Sequence, residues 1–320
     1  MSKTGYLGRG GVEMEYVILG AGAAGITAAK TIRKADREGK ITVISTDTQV
    51  HSRCMLHKYL SHERDAAGIS FIDPDFFEKN QITWLPGKTV SRLDTQGKKV
   101  YTDQGDEMSY DRLLIATGAE SFIPPVGNLR EAENVFGLRH LRDAQAIDEL
   151  AKDAENIVII GSGLVGLDAA YGLMETGKKV SIVEMADQIL PVQLDKTAAF
   201  EYQKRFEKAG AVFYLGRKAA DTVMGEDKII REIILDNGEK LPCDLIIVAA
   251  GVRSAVARMQ GEAIVIHRGI KVDDYLQTGA EGVYAAGDVT GLSGIWPNAQ
   301  KQGETAALNM CGSHVEYTDR

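Results

Sequence analysis

Two glycine-rich hexapeptides carry the clearest chemistry in this 320-residue chain: Gly20-Ala21-Gly22-Ala23-Ala24-Gly25 and Gly161-Ser162-Gly163-Leu164-Val165-Gly166. In such a turn the first glycine permits a tight reversal, the second lets backbone approach a pyrophosphate, and the third lets a helix pack closely on a strand. The amides at Ala23 and Ala24, and at Leu164 and Val165, would open a helix whose positive end favours a diphosphate. An acidic residue closing the next strand completes the pattern by accepting from a ribose hydroxyl. Glu184 fills that place in the second copy. Its charge would repel a 2′-phosphate and no arginine follows in 185–190, so NADH is favoured over NADPH. Asp47, after Ser45-Thr46, is the candidate in the first copy.

Both turns need a strand before them and a helix after. The run 16–19 is apolar, 26–35 has helical composition, and 41–45 reads as a strand following Glu38-Gly39. The order returns 161 − 20 = 141 positions later, with a strand at 157–160, a helix at 167–176 and a strand at 179–184. Two copies of one strand–turn–helix–strand unit are therefore expected. Further strands are predicted at 98–101, 113–116 and 282–286, with short β segments through 211–248 ending in 245–249. Helices are predicted at 195–209, closed by Gly210, and up to about Met310.

Composition narrows the function classes. Glycine is 34 residues and proline 7, which points to tight turns inside regular structure and away from disorder. The charge, 37 − 45 = −8, argues against nucleic acid and anionic membrane as partners. No apolar run approaches the ~18 residues of a membrane span. Cys54, Cys243 and Cys311 form neither a zinc pattern nor a disulfide framework and suit a reducing cytoplasm. His51, His57 and His62 share no helical face, so no metal site is expected. Residues 1–13 lack a signal-peptide core and are read as a tail outside the fold.

Three further segments sharpen the picture: Ala116-Thr117-Gly118, the run 246–251 ending in Gly251 before Val252-Arg253, and Val283-Tyr284-Ala285-Ala286-Gly287-Asp288. With both glycine turns in this order, residues 15–318 resemble the pyridine nucleotide–disulfide oxidoreductase family. The resemblance is strongest to the branch of rubredoxin reductases, ferredoxin reductases, NADH oxidases and nitrite reductase flavin domains. It implies an α/β fold of two Rossmann-like domains, the NAD domain (113–246) inserted into an FAD domain (15–112 and 247–320). It also implies that the family's C-terminal interface domain is absent, with a monomer favoured. FAD would lie on the first glycine turn, with Asp47, Arg53, Lys58, Ala116-Thr117-Gly118, Gly287, Asp288, Pro297 and Gln302 around it. NAD would lie on the second, with Glu184 and Gly251.

By the same resemblance Asp288 would hold the ribityl chain, His51 would pack at the flavin edge, and Lys58 would stand near N5. In relatives that lysine pairs with a glutamate on the nicotinamide-domain helix. The matching residue here is Asp168, one methylene shorter. The activity implied is hydride transfer from NADH to FAD, with electrons passing to a rubredoxin-like protein or a small acceptor. Two alternatives stay open: a thiol or coenzyme A-disulfide reductase, or NADH oxidase, cycling through Cys54, and a flavin-bearing electron-transfer subunit or redox sensor with little turnover on free acceptors.

Overall fold

The structure is a computed structural model that describes residues 13–319, so the expected tail lies almost wholly outside the described residues. The chain forms two compact units. One comprises the described residues up to Val50, then Ile72–Ala119 and the chain from Ser254 onward; the other comprises His51–Phe71 and Glu120–Arg253.

The first unit is built on a five-stranded parallel sheet in the order Val283–Ala285, Arg112–Ile115, Glu15–Leu19, Lys40–Ser45, Ile82–Pro86. Its central strands are continuous apolar runs because both faces are covered. Val17, Leu19, Leu113, Ile115, Val283 and Ala285 enter one buried core, which also takes Val90, Leu93 and Val100 from a three-stranded antiparallel sheet. The helices Ala23–Ala35 and Trp296–Met310 pack along each other.

The second unit repeats the plan. Its parallel sheet runs Val212–Leu215, Val180–Glu184, Ile157–Ile160, Leu245–Val248, Val135–Phe136. The strands Ala219–Met224, Ile230–Leu235 and Lys240–Pro242 form an antiparallel sheet beside it. A helix that the sequence reading missed, Leu141–Ala151, buries Leu141, Ala144, Ile147 and Ala151 along one face. The Asp143 carboxylate accepts from the His140 and Arg139 amides (2.8 and 2.9 Å), and His51 Nε2 accepts from Leu141 N (3.2 Å). These bonds satisfy amides that a helix start leaves without intrahelical partners.

Two boundaries differ from expectation. The chain passes between units at 119/120 and 253/254, later than 112/113 and 246/247. The reason is pairing: Arg112–Ile115 is bonded into the first sheet and Leu245–Val248 into the second. The segment 51–71 also leaves the first unit, because Leu56, Leu60 and Ile69 are buried in the second unit's core. Both glycine-turn helices begin three residues earlier than predicted, at Ala23 and Leu164, directly after the middle glycine.

Candidate functional site

In the first unit the three glycines of the turn have separable reasons. Gly20 has φ +107°, and a Cβ there would stand 2.2 Å from the Ala116 carbonyl oxygen. A Cβ at Gly25 would come within 1.9 Å of the Gly20 oxygen, so the helix can meet its own strand only at a glycine. Gly22 is different. Its φ is an ordinary −82°, and a Cβ would meet no protein atom within 4 Å. Nothing among the described residues demands glycine there, whereas close approach of a ligand would. No side chain caps the helix that starts at Ala23 and Ala24.

Of the other first-unit candidates, the Ala116-Thr117 backbone and Gly287 lie against this turn. Gly118 has φ +73°, and Thr117 Oγ1 donates to the Ala255 oxygen at 2.9 Å. Gly287 has φ +83° and ψ −158°, a region essentially reserved for glycine. A Cβ there would lie 3.2 Å from Ala24 Cβ, and one at Gly303 would lie 2.2 Å from the Ala24 oxygen. The first glycine turn, the Gly287-Asp288 turn and the start of the last helix thus meet at one place. Asp288 is half-buried, and its carbonyl accepts from Ser254 Oγ (2.8 Å). Pro297 lies in the first turn of the last helix, where a missing N–H costs nothing. Gln302 is fully buried, and its Oε1 accepts from the Gly287 amide at 2.7 Å, so it supports the turn from within. Asp47 is half-buried two residues past its strand, its amide bonded to Ser45 Oγ (3.1 Å).

The second turn repeats this logic. Gly161 has φ +105° with a Cβ position 2.5 Å from the Ala249 oxygen, and Gly166 would approach the Gly161 oxygen to 2.0 Å. Gly163 has nothing within 4 Å. Leu164 and Val165 are exposed at the helix start. Glu184 ends its strand with the carboxylate already oriented: Oε2 accepts from Ser162 N and Oγ, and Oε1 from Ala186 N, all at 2.8 Å. Gly251, at φ +101°, accepts from the Phe122 amide (2.9 Å).

The expected Lys58–Asp168 ion pair is not formed. Lys58 Nζ bonds both Glu63 oxygens at 2.8 Å and lies 5.2 Å from the Tyr171 ring centroid, while Tyr171 OH donates to Glu63 Oε1 at 3.2 Å. Glu63 holds the Lys58 ammonium above the ordinary lysine range, and Lys58 holds the Glu63 carboxyl below its own. Asp168 meets His57 instead, with Oδ2 3.8 Å from a buried Nδ1 that has no hydrogen-bond partner among the described residues. Burial pushes the Asp168 carboxyl above its usual range, and the neighbouring His57 opposes that rise.

The cause of the exchange is a close helix crossing. A Cβ at Gly172 would sit 2.8 Å from both the His57 oxygen and Leu60 Cβ, so the helix Leu56–Leu60 presses onto the helix Leu164–Glu175 there. At that crossing His57, and not Lys58, comes closest to Asp168. Glu63, Tyr171 and Ser162 were missed by sequence reasoning. Lys58 to Glu63 spans five positions, a spacing that matches no helical pair.

Arg53 Nη1 donates to the Arg139 oxygen at 3.3 Å, and Cys54 is exposed on the same 3-10 turn, Arg53–Met55. Cys243 is buried, its thiol pushed up to about 12 by burial and then by Asp244 and Glu232, which leaves it inert.

A family model described as pyridine nucleotide-disulphide oxidoreductase matches residues 14–303. The assimilatory nitrate reductase electron transfer subunit of Bacillus subtilis is 32% identical over 310 residues, covering 95% of this chain and 40% of that protein. The chain therefore spans about two fifths of that relative's length. Rubredoxin-NAD(+) reductase of Pseudomonas putida is 28% identical over 313 residues, 94% of this chain and 80% of that one. Among solved structures, the ferredoxin reductase for the CYP199A2 system from Rhodopseudomonas palustris superposes with a TM-score of 0.87 at 26% identity, covering 96% of this chain and 78% of that one. Among the described residues, no helix is long and apolar enough to cross a membrane.

Proposed function

Because the chain belongs to the pyridine nucleotide-disulphide oxidoreductase family, we propose that it is an FAD-dependent NADH oxidoreductase passing electrons to a small redox protein of the rubredoxin or ferredoxin kind. One observation carries the reading: both glycine turns have flanking glycines that the fold requires and a middle glycine, Gly22 or Gly163, that only a close ligand would require.

Each turn would hold a pyrophosphate on the amides of its helix start. Glu184 would accept from the nicotinamide-nucleotide ribose, and Asp288 from a flavin-side hydroxyl. The start of the last helix would favour negative charge on a reduced ring. Flavin, when bound, supplies the hydride-accepting and electron-passing chemistry, so this chain's residues need only bind, orient and tune charge. The Lys58–Glu63 pair and Asp168 with His57 are the titratable groups that would set local charge around the helix Leu164–Glu175. Three cysteines with no disulfide are in keeping with a reducing cytoplasm.

The test is direct. The purified protein should carry FAD, and anaerobic NADH should bleach its visible absorbance. A protein without FAD, or with FAD that NADH leaves oxidised, ends this reading. A second reading rests on the exposure of Cys54, whose thiol would cycle with a disulfide substrate.

A further inference from the structure

The fully buried amide of Gln302 faces the Gly287-Asp288 turn on one side and the C-terminal segment on the other. Its Oε1 accepts from Gly287 N at 2.7 Å, and its Nε2 lies 3.4 Å from the hydroxyl of Tyr317, a side chain 3% exposed. Thr290 Oγ1 donates to the Gly287 oxygen at 2.8 Å and lies 3.3 Å from Gln302 Oε1, so the turn is bonded on both sides of Gly287. An amide has a donor end and an acceptor end. Were Gln302 reversed, its NH₂ would confront the Gly287 N–H. The Gly287 N–H, which can only donate, fixes which end faces the turn, and the Tyr317 hydroxyl accepts from the NH₂ and holds the far end of the side chain in place.

Tyr317 is itself held. Its amide donates to the Asp274 oxygen at 2.7 Å, Asn309 brackets Val315 through both its amide N–H (2.8 Å) and oxygen (2.8 Å), and His314 stacks on Tyr275 at 3.8 Å. A segment bonded at this many points is built into the unit. Gly287 occupies backbone space that few residues adopt, so its conformation depends on what surrounds it.

We propose that Tyr317, acting through Gln302, is a positioning residue that sets the orientation of the Gly287-Asp288 turn and thereby the grip of the first unit on FAD. The proposal rests on the FAD reading given above. Removing the hydroxyl leaves a buried amide N–H unpaired and the Gln302 side chain without its hold at the NH₂ end.

The experiment compares wild type, Tyr317→Phe, Gln302→Leu and the double variant. FAD dissociation is followed by the fluorescence of released flavin, and the visible spectrum and midpoint potential of the bound flavin are recorded. Tyr317→Phe should bind FAD roughly three- to tenfold more weakly, with a shifted potential. It should add no further loss in the Gln302→Leu background, because its effect passes through that amide. Tyr317→Phe with wild-type affinity and potential, differing only in melting temperature, overturns the proposal. So does an equal loss in both backgrounds. If Gln302→Leu does not fold, affinity and potential in Tyr317→Phe decide alone. A wild-type protein that takes up no FAD sinks the functional reading, whereas one that binds FAD and is matched by Tyr317→Phe sinks only the positioning role of Tyr317.

Discussion

Replacing Glu184 with alanine separates the brace this carboxylate gives its own turn from the ribose contact proposed for it. The side chain accepts three hydrogen bonds from its own protein, from Ser162 N, Ser162 Oγ and Ala186 N, each at 2.8 Å. Bonds to a charged acceptor contribute roughly 1.5–3 kcal/mol each at best, and less at a half-buried site. Losing the set costs about 2 kcal/mol, or roughly 4–8 °C in melting temperature for a unit of this size. That loss loosens the second glycine turn for NADH and NADPH alike, so it cancels in the ratio of their affinities.

What remains in the ratio is specific to the ribose. NADH loses a charged hydrogen bond of at least about 1.5 kcal/mol, roughly tenfold. NADPH escapes repulsion between the carboxylate and its 2′-phosphate, about 1–2 kcal/mol at roughly 5 Å in water. The NADH-to-NADPH preference should therefore fall about 60- to 300-fold, read as the ratio of rates of anaerobic flavin bleaching at low nucleotide. Ser162→Ala serves as the control: it weakens the turn but leaves the charge, so both nucleotides should suffer equally. If Glu184→Ala loses affinity for both while the ratio stays within about twofold, Glu184 is only a brace for the turn and the ribose assignment is wrong.

Gly22→Ala should fold with a stability within about 1 kcal/mol of wild type, since its Cβ meets no protein atom, yet lose most of its FAD. Gly25→Ala, whose Cβ would sit 1.9 Å from a backbone oxygen, should instead lower the melting temperature with or without flavin; equal behaviour of the two variants would refute the distinction. Asp168 has its folded-state carboxyl raised by burial, so its contribution to stability is present below the ordinary 3.8 and is lost as pH rises through the raised value. Asp168→Asn should then be more stable than wild type at pH 7 by under about 1 kcal/mol, since the side chain remains half in water, with the difference vanishing below pH 4; urea titrations at both pH values check it. Cys54→Ser should keep NADH-driven reduction of one-electron acceptors unchanged, and loss of that turnover would move the thiol to the centre of the mechanism.

The two glycine turns and their strands were legible because backbone constraints there permit few residue types. Gly20 and Gly25 are dictated by carbonyls less than 2.5 Å from their missing Cβ atoms. Side-chain partners were less legible, because many pairings satisfy the same chemistry. Lys58 could reach either Glu63 or Asp168 as far as charge is concerned, and the helix crossing at Gly172 decided between them. Gln302 was placed around the flavin by resemblance, which did not show that it is buried; its burial follows from Gly303 drawing the last helix against Ala24. The placement of 51–71 was hidden for a similar reason, since Leu56, Leu60 and Ile69 name a buried face without naming the core that buries it.

The order of strands in the first sheet has a consequence for biosynthesis. Val283–Ala285 closes that sheet by pairing with Leu113–Ile115, and the chain between them makes most of the second unit. During translation the second unit can complete its sheet while the first waits, with the Leu113–Ile115 edge open to the ribosome's surroundings. Closing it is a long-range pairing and so a slow one. The vulnerable nascent species is therefore a half-finished first unit with an unpaired apolar strand, and chaperone dependence in vivo should track that edge.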